Sequence, residues 1–247
     1  MKSNLPVALV TGSARRVGAE IVRLLHSREH NIIIHYRHSK ADAFLLRDEL
    51  NSLRSESAIA LPADFEKNET PSTLVKAAVE TWGRLDVLVN NASTYFPNHI
   101  GNTTIPQWHT LLSSNLQAPY FLCQAAAPYL RASKGCIVNI TDIKASRPSK
   151  NYSVYCIAKA GLNMLTKALA LELGPLIRVN AVAPGPTLWP EGINVLDDDA
   201  KIKSIEQSAL KRKAEPRDIA AVVLFFIEQP HLTGQIINVD GGKLLYV

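Results

Sequence analysis

Much that would set the chain apart from ordinary globular proteins is missing. Its 247 residues hold no apolar run approaching the ~18 needed to cross a bilayer, so no membrane association is expected. Cysteine is scarce: Cys123, Cys136 and Cys156 stand too far apart for a C-x-x-C pair. An odd number of thiols without a secretory segment points to reduced cysteines and a cytoplasmic location. Met1 to Pro6 leads at once into a strand-like run and leaves no room for a signal peptide. His99, His109 and His231 are scattered without metal-ligand spacing, so no metal is expected. Lys and Arg are dispersed rather than massed in a tract. A net charge of +5 then suits an anionic small ligand better than nucleic acid. No Pro/Gly/Ser linker or internal repeat divides the sequence, and residues 1–247 are expected to form one domain.

What is there is enough apolar material, 47% of the residues, for a large core. Short β-branched runs alternate with longer helical patterns. Strands are expected over 7–10, 32–36, 57–61, 85–90, 136–140, 177–182 and 235–239. Helices are expected over 16–28, 41–54, 72–81, 106–131 (as one or two), 154–173 and 219–227. Continuous apolar strands alternating with helices mean a parallel sheet covered on both faces. Right-handed crossovers make it an α/β fold of Rossmann type, a doubly wound sheet of about seven strands with ligands at the strands' carboxyl ends. The stretch from Pro184 to about Lys213 is weakly patterned; it contains Pro184-Gly-Pro186, Trp189-Pro190 and Asp197-Asp-Asp199. The segment about 185–213 is therefore expected to be a substrate loop.

The first turn, Thr11-Gly-Ser-Ala-Arg-Arg-Val-Gly18, follows the first strand and opens the first helix. Gly12 permits a tight turn and Gly18 close helix–sheet packing, while the helix N-terminus offers N–H groups to a pyrophosphate. NAD-binding folds carry an acid about 20 residues further on, for the ribose hydroxyls. Here that place reads His35-Tyr-Arg-His-Ser-Lys40, with no carboxylate. Arg37, His38 and Ser39 offer a cation and donors to a 2′-phosphate, and Arg16 could add a second cation, which makes NADPH the expected cofactor. Asp64, in Ala63-Asp-Phe65, is placed to meet an adenine amino group. Asn90-Asn-Ala-Ser93 supplies small and amide-bearing residues where a backbone must approach the cofactor.

Tyr155 and Lys159 stand four apart on a strongly patterned helix and share a face. Tyr155 is a candidate proton donor, and a neighbouring ammonium is expected to lower its pKa towards working pH. The helix follows a strand ending at Thr141-Asp142, which puts a carboxylate opposite the tyrosine. Asn115 falls in a helical pattern between the fourth and fifth strands, where it could carry the contacts that orient Lys159.

On Thr11–Gly18, Asn90-Asn-Ala92, Asn115, Tyr155-x-x-x-Lys159, Pro184-Gly185 and Val239-Asp-Gly-Gly242, the chain resembles the short-chain dehydrogenase/reductase family over essentially its whole length. The resemblance implies an Asn–Ser–Tyr–Lys catalytic set, hydride transfer from a nicotinamide, and a homotetramer. The sequence departs from it twice. Arg16 stands where the family has the middle glycine of T-G-x-x-x-G-x-G, and Asp142 replaces the serine. Both departures, with His35–Ser39 and Asn91-Ala-Ser-Thr-Tyr-Phe-Pro97, are similar to the pteridine reductases of that family; bacterial dihydromonapterin reductases share the aspartate. The resemblance thus implies a pterin substrate and a catalytic set of Asn115, Asp142, Tyr155 and Lys159. Cofactor contacts would come from Gly12, Arg16, Val17, Tyr36, Arg37, His38, Ser39, Asp64 and Phe65. Asn91, Ala92, Ser93, Tyr155, Lys159, Pro184 and Gly185 would complete them. Substrate contacts would come from Arg16, Ser93, Tyr95, Asp142 and Tyr155, with Tyr95 stacking on the flat pterin ring. One alternative is a short-chain carbonyl reductase of 3-ketoacyl-thioester type, against which Asp142 and the Tyr95 loop argue. Another is a non-catalytic nucleotide-binding or scaffold protein on the same fold, against which the Tyr155/Lys159 pair argues.

Overall fold

In the computed structural model, which describes residues 4–67, 70–189, 195 and 197–246, the apolar runs become seven parallel strands. They are β1 (Val7–Val10), β2 (Asn31–Tyr36), β3 (Ala58–Pro62), β4 (Val87–Asn90), β5 (Cys136–Ile140), β6 (Arg178–Pro184) and β7 (Ile236–Val239). The helices are α1 (Arg16–Ser27), α2 (Lys40–Leu53), α3 (Thr70–Trp82), α4 (Ile105–Leu112), α5 (Ala118–Ser133), α6 (Ser153–Leu173), α7 (Asp198–Glu206) and α8 (Pro216–Glu228). The strand order is β3-β2-β1-β4-β5-β6-β7, so the winding reverses between β1 and β4. In such sheets that reversal opens a crevice at the strands' carboxyl ends.

Every residue of β1, β2, β4 and β5 is buried, as strands covered on both faces must be. Alternate side chains serve opposite layers. Ala8 and Val10 pack with Ile21 and Leu25 of α1, Leu46 of α2, and Val223 and Phe226 of α8. Val7 and Leu9 pack with Leu74 of α3, Leu122 and Leu130 of α5, and Leu162 and Leu165 of α6. Each buried Val, Leu, Ile or Phe side chain among them is worth roughly 1.5–3 kcal/mol. A smaller cluster of Leu111, Val154 and Tyr155, with Tyr95, Phe96 and Tyr152 packed on it, lies apart from both layers. All three cysteines are buried within the fold.

In its elements the structure departs from the sequence reading in three places. The 106–131 pattern is α4 and α5 joined by a π-helical turn over Ser113–Gln117. Inside it the Asn115 amide Nδ2 donates to Leu111 O at 2.9 Å and to Thr94 O at 2.8 Å, so the widened turn aims a side chain out of the helix. The acidic run in the stretch read as irregular is a helix start. Asp197 Oδ1 accepts from Ala200 N at 2.7 Å, and Asp198 and Asp199 sit in the first turn of α7, where carboxylates are favoured. The expectations for Pro190, and for 190–194 and 196 of the substrate loop, lie outside the described residues. Finally, α6 is by length and composition apolar enough to cross a membrane, although 56% of that window is buried inside the molecule.

Candidate active site

The turns that follow β1 and β4 are stitched together by side chains. Thr11 Oγ1 accepts from the backbone N–H of Asn91 and of Ala92, both at 2.9 Å. Asn91 Nδ2 donates to Thr11 O at 2.8 Å and to Gly12 O at 3.0 Å. Gly12 has φ +59°, and a Cβ there would lie 2.8 Å from Ala92 Cα. At Gly18 a Cβ would lie 2.6 Å from Asn91 Nδ2 and 2.7 Å from Gly12 O. Both glycines are thus required by space, and Gly12 also by its left-handed backbone.

A third strand end is tied in by His35, which the sequence reading assigned no role of its own. Its Nδ1 accepts from Gly12 N–H at 2.9 Å, its Nε2 lies 3.2 Å from Ala63 O, and its ring stacks on Phe65 at 4.6 Å. Because Gly12 can only donate, Nδ1 must be bare and Nε2 must carry the proton. Burial holds the imidazole neutral, with its pKa brought down to about 4. The signal for it was a single histidine within the apolar run Ile32-Ile-Ile-His-Tyr36.

Beside this hub opens a cavity of about 460 Å³. It is lined by Gly12, Arg16, Val17, Tyr36, Arg37, His38, Ser39, Phe65, Asn91, Ala92 and Ser93 from the expected set. Glu66 and Ser114, which were not expected, also line it. Asp64 does not stand free to meet an adenine. Its Oδ1 is 3.0 Å from Arg37 Nε, and Glu66 Oε1 takes Arg37 Nη1 at 2.9 Å, so the guanidinium holds both carboxylates. Pro184 and Gly185 are not among the residues lining the cavity; Gly185 packs against Asp240, where a Cβ would lie 2.7 Å from its Cα. Arg16 takes φ +58°, a conformation costing a side-chain-bearing residue on the order of 1–2 kcal/mol. Its Nη2 donates to Trp189 O at 3.1 Å, tying the first turn to the segment after β6.

The second part of the site stands where β5 ends and α6 begins. Asp142 caps a short 3₁₀ turn, Ile143–Ala145, its Oδ1 accepting from Lys144 N–H at 2.8 Å. The other oxygen, Oδ2, accepts from the Tyr155 hydroxyl at 2.8 Å. One helical turn on, Lys159 Nζ donates to Ile140 O at 2.9 Å. Tyr155 and Lys159 are only 5% and 2% exposed.

Two expectations, one electrostatic and one of hydrogen bonding, are corrected here. Lys159 does not pull the phenol's pKa down. Burial first, then the Asp142 charge and hydrogen bond, push Tyr155 well above its usual range. The ammonium is 5.7 Å from the Tyr155 ring centre and bonded elsewhere, whereas the carboxylate touches the hydroxyl. Burial also brings Lys159 down to about 8, against the opposing charge of Asp142. Asn115, expected to orient Lys159, instead gives its amide to Thr94 O and Leu111 O and accepts from Ser93 Oγ at 2.7 Å.

Tyr95 is not an open platform on both sides. One face stacks on Tyr152 at 4.6 Å and 4°, and Tyr155 meets it edge-on at 4.8 Å. Its hydroxyl accepts from Lys144 Nζ at 2.9 Å. Tyr152 and Lys144 were missed by sequence reasoning. The three-residue spacing of Tyr152 and Tyr155 could have indicated the first; only nearness to Asp142 in the chain marks the second.

The profile of the family described as enoyl-(acyl carrier protein) reductase matches residues 12–243. Pteridine reductase 1 of Leishmania tarentolae is 35% identical, over 97% of this chain and 96% of its own. The 3-oxoacyl-(acyl-carrier-protein) reductase FabG of Staphylococcus epidermidis is also 35% identical, over 96% and 98%. Trans-4-hydroxycyclohexanecarboxylate dehydrogenase of Sinomonas cyclohexanicum is 32% identical, over 96% and 92%.

Two stability predictions arise from the hub. His35 has a folded pKa below its unfolded value, so the unfolded chain binds the extra proton between about 6.5 and about 4. The stability it contributes is present above about 6.5 and is lost as pH falls to about 4, about 3 kcal/mol at the acid end. Urea midpoints across that window should therefore fall more steeply for the wild type than for His35→Gln; parallel curves would contradict this. Gly12→Ala should cost about 1–3 kcal/mol in thermal unfolding, from the strained φ and the clash with Ala92.

Proposed function

The chain belongs to the short-chain dehydrogenase/reductase family, and on that premise we propose that it is an NADPH-dependent pteridine reductase, reducing a C=N bond of a dihydropterin to the tetrahydro form. The observation that carries this reading is the 2.8 Å contact between the Tyr155 hydroxyl and Asp142. A serine at 142 could donate to a ketone oxygen; a carboxylate can only accept. A pterin presents N–H donors to such a group, and a ketone presents none. The equal identity to a 3-ketoacyl reductase keeps a ketone substrate as the second reading, and Asp142 speaks against it.

The cavity suits a dinucleotide. Gly12 and Gly18 keep side chains away from the α1 N-terminus, and its volume falls in the range of ligand sites. Arg37, His38 and Ser39 would hold a 2′-phosphate, which the Asp64 and Glu66 carboxylates must yield to. Gly12, Arg16 and Val17 would face the pyrophosphate. Tyr36, Phe65, Asn91, Ala92 and Ser93 would wall the rest, with Pro184 and Gly185 near the nicotinamide end. When bound, NADPH supplies the hydride. Tyr155, kept protonated by burial and by Asp142, gives its proton to the substrate ring nitrogen. Asp142 orients that proton beforehand, and Lys159, still largely an ammonium at neutral pH, stabilises the phenolate left behind and holds the nicotinamide ribose. Asn115 fixes Ser93, and Ser93 and Tyr95 bound the substrate on the opposite side.

The same proposal includes a cytoplasmic single-domain enzyme with a substrate loop over about 185–213, assembled as a homotetramer. Exposed Tyr120, Phe121, Tyr129, Ile157 and Met164 on α5 and α6 support an assembly through those helices.

NADPH oxidation by purified protein tests the reading, with a dihydropterin against an acetoacetyl thioester and with NADH in parallel. Turnover of the dihydropterin with NADPH is the expected result; turnover of the thioester alone would sink the pterin assignment. Tyr155→Phe should lose about 10²–10⁴ in kcat, and Asp142→Ala at least about 10². The rate should fall as pH rises above about 8, because Lys159 loses its proton there. A flat profile to pH values well above that would remove the ammonium from the mechanism.

A further inference from the structure

Resting on the pterin reading, we infer that the enzyme has an anion subsite beside the reaction centre, formed by Lys144, Arg147 and Lys243, which takes a phosphate or carboxylate on the substrate's side chain. Lys144 is fixed to the reaction centre by its own N–H, which bonds Asp142 Oδ1 at 2.8 Å. Its ammonium stands 4.4 Å from the Tyr95 ring centre, 5.5 Å from that of Tyr152 and 5.9 Å from that of Tyr155. Arg147 follows at the end of the same short turn, with Nη1 reaching Lys243 O at 3.4 Å and also Tyr246 O. Lys243 Nζ donates to Ser204 O at 2.8 Å and Ser204 Oγ at 3.2 Å. A line of cations thus runs from the catalytic tyrosine to the C-terminal segment.

Among the described residues these cations form no salt bridges. Their hydrogen bonds among the described residues all go to neutral oxygens: a phenol, backbone carbonyls and a serine hydroxyl. The acids nearby are committed. Asp142 serves Lys144 N–H and Tyr155, and Asp240 serves Gly242 N–H and Leu244 N–H, each at 2.9 Å. The cations press on one another: burial, then Arg147 and Lys144, lower the pKa of Lys243, with Asp240 opposing. Like charges gathered here repel one another more than the neighbouring carboxylates offset, and an anionic ligand relieves that repulsion. The cofactor's phosphates have other partners, since Arg16 and Arg37 line the cavity at the ends of β1 and β2 while Lys144 follows β5. The pterin ring itself is uncharged, so the anion belongs on the substituent that projects away from the reduced ring.

The test compares 7,8-dihydroneopterin with its monophosphate, and adds 7,8-dihydrofolate as the carboxylate arm, all with saturating NADPH. The wild type should show kcat/KM about tenfold higher for an anionic substrate than for the neutral one, through KM. That ratio should shrink as salt rises from about 0.05 to about 0.5 M. A gain with the monophosphate alone assigns phosphate to the subsite, and a gain with dihydrofolate alone assigns carboxylate. Lys144→Met and Lys243→Met should each bring the ratio towards one, and Lys144→Arg should keep it. A ratio near one in the wild type, with the neutral dihydropterin turned over, overturns this inference and leaves the pteridine reductase reading standing. An unchanged ratio in both methionine variants also overturns it. No turnover of any pterin overturns both.

Discussion

Strand ends in a parallel sheet leave backbone donors and acceptors that no neighbouring strand can satisfy, and here three side chains meet that need at one place. Thr11, Asn91 and His35 bind the ends of β1, β4 and β2 to one another across the point where the winding reverses. The consequence is positional. Gly12 is held with its N–H on an imidazole and its Cα face against Ala92, so the turn has one geometry and α1 starts from a fixed point. The cavity walls are built outward from that turn, and an error of an ångström in it would be carried to every group that faces the ligand.

The other half of the site depends on a different balance. A carboxylate bonded to a buried phenol, with a buried ammonium one turn away, makes a triad in which the proton rests on the tyrosine. The serine common in the family would leave the tyrosine's pKa to the lysine. Aspartate reverses the sign: burial and the Asp142 carboxylate make the tyrosine a stronger keeper of its proton.

The fold was readable because every residue of strands such as β1, β2, β4 and β5 is buried, so the apolar runs are unbroken and the helices between them are long. Most of the lining of the cavity beside the first turn was readable, including Arg37, His38 and Ser39, though not Asp64, Pro184 or Gly185. Features set by tertiary partners were not. Helical periodicity cannot show the single extra residue of the π turn at Asn115, nor that its amide would turn towards Thr94. Spacing placed Lys159 on the face of Tyr155 but could not say that its Nζ would go to Ile140 O, which is why the direction of the tyrosine shift was read wrongly. The pairing of Arg37 with Asp64 and Glu66 joins residues nearly thirty positions apart, and His35 looked like a strand residue until its two partners were in place. The acidic run at 197–199 reads as irregular chain because its helix is amphipathic only weakly and buries none of its residues.

The buried cysteines have a practical side. Burial pushes the thiol of Cys123 up to about 12 and that of Cys136 to about 11, and Cys156 is shielded within α6. Attack on a disulfide or an alkylating probe requires an accessible thiolate, so the native fold should be nearly silent towards such reagents. The unmodified chain is in effect a blank background: a cysteine introduced at an exposed position such as Lys203 or Arg212 would be the one reactive thiol, and a dye attached there would need no prior stripping of the protein's own sulfur.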